Sequence, residues 1–228
     1  MLIYAHRGAS SDFAEGSKAA YQGAIDQGAD GFECDVRLTK DHQIICYHDR
    51  DTQRLSKINL EIAKTTFAEL KERVNPYRLD ELLDLAITNK KDLVIEFKHP
   101  VPSGGLVEKL TYKLLADKAL EIKRSGINIS LLSFSFVATL RNIKSGYESV
   151  YLIKNRLLAN INPAPIIGAS IKIIRENPDF VATQKKKGKQ VFVWTVNDSK
   201  DLQLCADLGV SVVITDNPQQ ARKRLGYS

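Results

Sequence analysis

The chain has 228 residues, of which 43% are hydrophobic and 26% are charged, and both fractions exclude a disordered chain. The formal net charge of +6 is compatible with an anionic substrate, a nucleic acid or an anionic membrane surface. The basic residues are spread along the chain, and the one dense run, at 185–189, is typical of a solvated helix C-terminus.

Cysteine content and hydropathy indicate the cellular compartment. Cys34, Cys46 and Cys205 lie in apolar segments and are odd in number, which favours reduced, buried thiols over disulfides. The first strand-like segment starts at Leu2, without the basic and apolar stretches of a signal peptide. No apolar run approaches the ~18 residues of a membrane helix. We therefore expect a cytoplasmic protein without stable membrane association.

Short β-rich segments alternate with amphipathic segments along the whole chain. The predicted strands cover residues 2–5, 31–39, 43–48, 92–98, 129–134, 150–153, 166–173, 191–196 and 210–215. The predicted helices cover residues 15–28, 79–89, 106–124, 137–144, 178–187, 199–208 and 218–225. Such alternation is typical of a parallel sheet covered by helices.

Nine predicted strands are one more than an eight-stranded barrel needs. Only Lys40, Asp41 and His42 separate the second strand from the third, and so short a loop permits only an antiparallel hairpin. The eight remaining strands predict one (β/α)8 TIM barrel over residues 1–228, with an insertion at roughly 40–78. An open dinucleotide-binding sheet is disfavoured, because no Gly-x-Gly-x-x-Gly turn is present.

Three acidic residues lie on predicted strands, where apolar residues would be expected. Glu33 and Asp35 project from one face of the second strand, and Glu96 lies near the end of the next barrel strand. Buried together, these carboxylates would repel unless a positive charge lay between them. Carboxylate ligands without a thiolate or histidine cluster predict a hard divalent cation, magnesium or calcium.

Basic residues follow the same strand ends. His6 and Arg7 close the first strand, and Gly8 allows the backbone to approach a ligand closely. The hairpin pairs residues 35 and 47, which returns His48 to the neighbourhood of the acids. Two histidines beside a metal predict acid–base catalysis at phosphorus, and Lys98 is interpreted as a second phosphate ligand beside Arg7.

The sequence does not assign a definite catalytic role to five further residues. Glu15 is either an acid in the first turn of a helix or a ligand of a substrate hydroxyl. Trp194 is either a core residue or a wall of the substrate site. Asp216 is interpreted as a turn and helix cap without chemistry, His42 as a solvated hairpin residue, and His99 is ambiguous.

The chain resembles the glycerophosphodiester phosphodiesterase family along nearly its whole length. The matching motifs are His6-Arg7-Gly8, Gly31-x-Glu33-x-Asp35-Val36-x-x-Thr39-Lys40-Asp41, His48-Asp49, Leu79-x-Glu81-x-Leu83, Glu96-x-Lys98, Ser133-Phe134, Trp194-Thr195-Val196-Asn197 and Thr215-Asp216-x-Pro218. The resemblance implies hydrolysis of a small glycerophosphodiester to glycerol 3-phosphate and an alcohol, through a cyclic phosphate. It implies metal ligands at Glu33, Asp35 and Glu96, catalytic histidines at His6 and His48, and phosphate ligands at Arg7 and Lys98.

One departure from the family affects substrate preference. Where many members have Pro-Glu-Asn-Thr, this chain has Ala14-Glu15-Gly16-Ser17, which could change how the glycerol end is held. The alternatives are lysophospholipase D-like hydrolysis of a lipid and a non-catalytic barrel that binds phosphorylated ligands. A nucleic-acid partner is disfavoured, because no basic stripe with interleaved aromatic residues is present. The sequence leaves the head group, the choice of metal and the oligomeric state open.

Overall fold

Apolar segments that are buried on both faces form the strands of this protein, as parallel strands covered by helices require. The computed structural model describes residues 1–227. The strands are β1 (Leu2–His6), β2 (Gly31–Leu38), β3 (Ile44–Cys46), β4 (Asp92–Phe97), β5 (Ile129–Ser133), β6 (Glu148–Ile153), β7 (Ile166–Ser170), β8 (Gln190–Trp194) and β9 (Val212–Thr215). The helices are α1 (Lys18–Asp26), α2 (Gln53–Ser56), α3 (Phe67–Arg73), α4 (Leu79–Asn89), α5 (Leu106–Asp117), α6 (Ala119–Ser125), α7 (Phe136–Lys144), α8 (Ile171–Glu176), α9 (Phe180–Lys186), α10 (Ser199–Asp207) and α11 (Pro218–Leu225).

Eight of the strands form a closed parallel barrel. Each strand pairs with the next barrel strand along the chain, from β1 through β2 and β4 to β9, and β9 returns to β1. The predicted (β/α)8 architecture is therefore confirmed. Because all eight strands run in the same direction, their carboxyl ends meet at one rim, where the active sites of such barrels lie.

The ninth strand forms the predicted hairpin. β3 is antiparallel to β2, with Val36 opposite Cys46, and it lies outside the barrel. The backbone N–H of Tyr47 donates to the carbonyl of Asp35 at 2.9 Å, as the predicted pairing of residues 35 and 47 requires. The hairpin thus brings the segment that follows β3 to the carboxyl end of β2.

Two predicted elements differ from the structure. The helix predicted over 106–124 is two helices, because Lys118 leaves helical geometry at φ −101° and ψ 7°. The strand predicted over 166–173 ends at Ser170, whose hydroxyl accepts a hydrogen bond from the Lys172 N–H and begins α8. The sequence interpretation also missed α3, although Thr66 and Glu69 form a capping box at its start.

The β6–β7 connection is the one crossover in the barrel that contains no α-helix. Residues 154–165 include only a 3-10 segment, Arg156–Ile161. Residues 149–153 of β6 are nevertheless buried, so this short connection and its neighbours cover the strand. Within residues 1–227, no helix combines the length and apolarity that crossing a bilayer demands.

The turn after β1 requires glycine at position 8. Gly8 has φ +84°, and a Cβ added there would lie 2.5 Å from the carbonyl carbon of Ala20 at the start of α1. Arg7 precedes it in the left-handed region at φ 58°. This tight turn places α1 against the end of β1, next to His6 and Arg7.

We expect Gly8→Ala to lower the free energy of unfolding by about 2–5 kcal/mol, because it combines a left-handed alanine with a backbone clash. Gly188→Ala is the matched control, since Gly188 has φ +73° and nothing within 4 Å of its added Cβ. That control should lose only about 1–2 kcal/mol. Urea denaturation measures both values, and equal losses would contradict the steric argument.

Candidate active site

Three buried carboxylates meet at the barrel rim. Glu33 and Asp35 lie on β2 and Glu96 lies opposite Asp35 on β4. One oxygen of each lies within 4.8 Å of an oxygen of the other two, and the three residues are at most 7% exposed. Carboxylate oxygens at this spacing suit a divalent cation that prefers oxygen ligands.

Two basic side chains lie against the central acid of this cluster. Arg7 Nε is 2.8 Å from Asp35 Oδ2, and Lys98 Nζ is 2.7 Å from Asp35 Oδ1 and 2.6 Å from Glu96 Oε1. Both Asp35 oxygens are buried, and the two cations compensate for their loss of water. Three buried carboxylates this close carry more negative charge than two cations neutralise, and the set as a whole fits a hard divalent cation.

Burial and mutual repulsion divide the acids into two groups. Burial first, and then the charge of Asp35, raises the pKa of Glu96 to about 7 and the pKa of Glu33 well above its usual range. Burial also acts to raise the pKa of Asp35, but Lys98 and Arg7 outweigh it and lower that pKa to about 2. Without a metal, the cluster therefore retains protons on the glutamates at pH values where Asp35 is charged.

His6 is oriented by a carboxylate at the end of β9. Asp216 Oδ1 accepts from His6 Nδ1 at 2.7 Å and from the Ser10 hydroxyl at 3.0 Å. The Asn197 amide donates to the other Asp216 oxygen at 2.5 Å. With Nδ1 protonated toward Asp216, the free nitrogen is Nε2, which lies 3.9 Å from Glu33 Oε2.

The helix cap predicted at Asp216 is wrong. Asn217 caps α11 by accepting from the Gln220 N–H, which leaves Asp216 to bind His6. Burial alone would raise the pKa of Asp216, but the hydrogen bonds from His6, Asn197 and Ser10 together with the charge of His6 outweigh it, and the pKa lies below its usual range. The Thr215-Asp216-x-Pro218 motif could have indicated this role, because Asp216 follows a barrel strand.

His48 is held in the same way by its neighbour along the chain. Asp49 Oδ1 lies 2.7 Å from His48 Nδ1, which again leaves Nε2 free. Arg37 on β2 donates to the His48 carbonyl from Nε at 2.9 Å and from Nη2 at 2.7 Å, a contact that the sequence interpretation missed. Burial lowers the pKa of His48, so its ring favours the neutral form.

An ionic chain connects this histidine with Arg7. Asp49 accepts from Arg54 Nε at 2.5 Å, and Arg54 also donates to both oxygens of Glu15, at 2.5 and 2.9 Å. Glu15 accepts in turn from Arg7 Nη1 at 2.9 Å. Glu15 therefore lies behind Arg7 and does not line the cavity at the barrel mouth, where a substrate hydroxyl would lie.

The remaining wall of the site is apolar. A cavity of about 270 Å³ opens at the barrel mouth beside His6, His48, Glu33 and Glu96. Its apolar wall consists of Phe97, Leu132, Phe134, Leu152, Trp194 and Ile214. Trp194 lies edge-on to Phe134 with ring centroids 5.4 Å apart, and its indole N–H donates to the Gly168 carbonyl at 3.1 Å.

The structure places most of the predicted site residues around this one cavity. It is lined by His6, Arg7, Glu33, His48, Glu96, Lys98 and Trp194. Asp35 lies behind them and contacts Arg7 and Lys98. His42 is exposed at the hairpin, as predicted, and His99 also lines the cavity while its Nε2 lies 2.9 Å from Glu108 Oε1.

Comparison with known proteins gives consistent results. Residues 6–220 match the model of the glycerophosphoryl diester phosphodiesterase family. A protein of Mycobacterium tuberculosis named "Probable glycerophosphodiester phosphodiesterase 1" is 29% identical, over 97% of this chain and 91% of its own length. The crystal structure of a Thermotoga maritima glycerophosphodiester phosphodiesterase matches with a TM-score of 0.78 and 26% identity, over 98% of this chain and 97% of that one.

A more distant structure has a similar fold. It is an Oleispira antarctica phosphodiesterase in complex with the product sn-glycerol-3-phosphate, with a TM-score of 0.80 and 21% identity. The match covers 99% of this chain and 97% of that one.

We expect the metal-free protein to lose stability as pH rises from about 4.3 to about 7. Between these pH values the unfolded chain has released the Glu96 proton, whereas the folded chain retains it. Glu96 therefore lowers the free energy of unfolding by at most about 1.4 kcal/mol per pH unit. Glu96→Gln should flatten this slope, whereas Glu72→Gln, exposed on α3, should not. Denaturant titrations at several pH values in the presence of a chelator measure this slope. An unchanged slope in Glu96→Gln would refute the raised pKa of Glu96.

Proposed function

The chain belongs to the glycerophosphoryl diester phosphodiesterase family, and from that membership we propose that it hydrolyses glycerophosphodiesters to glycerol 3-phosphate and an alcohol. The proposal includes dependence on magnesium or calcium and catalysis by two histidines. The observation that carries it is the arrangement of His6 and His48 beside one acidic cluster, each with Nδ1 on a carboxylate. Nε2 of both rings is left to exchange a proton with substrate.

The acids Glu33, Asp35 and Glu96 would hold the cation. When bound there, a divalent cation supplies Lewis-acid stabilisation of negative charge on the phosphoryl oxygens. Arg7 and Lys98 add fixed positive charge on the same side of the cavity, and the guanidinium of Arg7 has N–H groups besides those that contact Asp35 and Glu15 with which to bind a phosphate oxygen. Glu15 and Arg54 hold the Arg7 side chain in place from behind.

In the first step, one histidine accepts the proton of the glycerol 2-hydroxyl, and the oxygen of that hydroxyl forms a bond to phosphorus. The bond from phosphorus to the alcohol oxygen breaks, and the other histidine donates a proton to that oxygen. A cyclic phosphate and a free alcohol result. In the second step water adds to phosphorus, the ring bond to the 2-oxygen breaks, and the histidines reverse their roles.

The carboxylate partners explain why this exchange is efficient. Asp216 and Asp49 fix the rings, so each Nε2 points to one place rather than sampling several rotamers. They also stabilise the imidazolium that forms when either ring takes up a proton. Trp194 and Phe134 exclude water from one side of the cavity and offer an apolar surface to the carbon atoms of the substrate.

A purely ligand-binding role is less well supported. A barrel that only binds phosphorylated molecules has no need of two histidines oriented by separate carboxylates. Here both dyads and all three acids are present. Buried carboxylates without a catalytic or metal-binding use would also reduce stability.

We expect glycerol 3-phosphate to form from a panel of glycerophosphodiesters with different head groups when magnesium or calcium is present. The chelator EDTA should abolish the reaction, because it removes the cation that compensates for charge on the phosphoryl oxygens. Asp35→Asn should have the same effect, because it removes a ligand of that cation. Asp117→Asn, on the surface of α5, serves as the control. Unchanged rates in EDTA would contradict metal dependence, and the absence of glycerol 3-phosphate with every substrate and either metal would contradict the activity.

We expect His6→Ala and His48→Ala each to lower kcat by about 10²–10⁴-fold without loss of folding or metal binding. A substrate whose leaving group is p-nitrophenol distinguishes their roles, because nitrophenolate leaves without being protonated. In the first turnover, the variant that lacks the general acid should recover release of nitrophenol, and the variant that lacks the base should not. The first turnover is compared because the histidines exchange roles in the second step. His42→Ala is the control at the exposed hairpin. Full activity of either active-site variant on a glycerophosphodiester of an ordinary alcohol would refute the assignment.

A further inference from the structure

Positive charge is concentrated in one stretch of the sequence, although Arg141, Lys172 and Arg175 of that stretch pair with the acids Glu108, Glu176 and Asp201 outside it. Between residues 122 and 175 the chain has eight lysines or arginines and a single acidic residue, Glu148. The net charge of this segment is therefore higher than the net charge of the whole chain, +6. Glu148 lies at the start of β6, at the end of the barrel opposite the cavity, and accepts from Ser130. At the cavity end, Lys154 and Arg156 form no ion pair with any of residues 1–227.

Exposed apolar side chains surround these cations. We use the term mouth patch for Phe134, Phe136, Val137, Leu157 and Ile161, which are 37–63% exposed. They follow β5 and β6, which are paired neighbours with Ser133 opposite Tyr151, so they extend from the same rim as the active-site cavity. The exposure of Leu157 and Ile161 follows from the missing helix between β6 and β7, because the 3-10 segment presents them outward.

The mouth patch is continuous with the cavity. Phe134 lines the cavity together with Lys154, whose Nζ lies 5.0 Å above its ring. Phe136 extends the surface outward and lies edge-on to Tyr151, with ring centroids 6.1 Å apart. Apolar side chains next to unpaired cations are the pattern by which proteins bind the surface of anionic membranes without crossing them.

We propose that the mouth patch, with Lys154 and Arg156, binds the surface of a bilayer that contains anionic phospholipids. The apolar side chains enter the region between head groups and acyl chains, and the two cations contact lipid phosphates. Residues 134–147 and 154–165 contain no acidic side chain, which favours an anionic occupant over a neutral or basic one, although Glu176 and Asp179 line an outer cavity together with Arg156. The exposed apolar side chains beside the cations favour a lipid surface over an acidic protein surface. Docked in this way, the barrel opens toward the lipid surface, and its cavity receives diesters that reside there or leave it.

The test uses the full chain and sedimentation with vesicles of phosphatidylcholine, with or without about one third phosphatidylglycerol. The wild type should bind the anionic vesicles more tightly than the neutral ones, and salt should weaken that binding. The triple variant Val137→Gln, Leu157→Gln, Ile161→Gln should lose at least about tenfold in partitioning, as should Arg156→Gln combined with Leu157→Gln. All substituted side chains are exposed, and a thermal melt checks folding.

Leu120→Gln is the matched control, because Leu120 is 59% exposed, as is Val137, but lies on α6, the second of two helices between β4 and β5, and not in the first turn after a barrel strand. It should bind like the wild type. The proposal is overturned if the wild type does not bind anionic vesicles, if it binds neutral vesicles equally well, or if the triple variant binds unchanged. It is also overturned if light scattering shows that the patch joins two copies of the chain and the triple variant is monomeric.

A parallel assay with glycerophosphocholine in free solution separates this proposal from the proposed function. The triple variant should hydrolyse this dissolved substrate at the wild-type rate while it fails to bind vesicles. If the wild type fails to bind vesicles but hydrolyses the substrate, only the proposal of membrane binding is refuted. If it binds vesicles but cleaves no diester, membrane binding is supported and the proposed function is refuted.

Discussion

Repulsion among three buried carboxylates is the constraint on which the site depends. The oxygens of Glu33, Asp35 and Glu96 lie within 4.8 Å of one another, where water screens them little. Arg7 and Lys98 compensate for the charge of Asp35, and the two glutamates retain protons instead. A divalent cation is opposite in charge to the three acids, and a phosphate ester is opposite in charge to Arg7 and Lys98. The charges of the site therefore suit a cation and a phosphate bound side by side.

A second layer of residues fixes the two histidines and Arg7, the groups that we propose exchange protons and bind phosphate. Each histidine and Arg7 has a carboxylate behind it, and these carboxylates are in turn bound by Asn197 and Arg54. Such support costs little stability, because each charged group is paired. It also explains a surface arginine on the four-residue helix α2, which otherwise packs no buried side chain.

The parts of this structure that depend on local pattern were predictable, and those that depend on distant contacts were not. The three-residue loop implied the hairpin, and the two-residue spacing of Glu33 and Asp35 placed both in the cluster. By contrast, the partner of His6 lies 210 residues away, and only the position of Asp216 after the last barrel strand pointed to it. The role of Glu15 depended on Arg54, in a segment whose short helices have weak periodicity. The apolar mouth patch appears only when the ends of two strands are brought side by side.

The two histidine dyads also differ in when they can form during synthesis. His48 and Asp49 are adjacent, and the acids of β2 and β4 emerge within the first half of the chain. The dyad of His6 needs Asp216, which emerges last and reaches His6 only when β9 pairs with β1. A nascent or truncated chain thus lacks the His6–Asp216 contact even when β2 and β4 have emerged. If His6 acts as proposed, hydrolysis requires the closed barrel, and unfinished chains on the ribosome would not cleave esters.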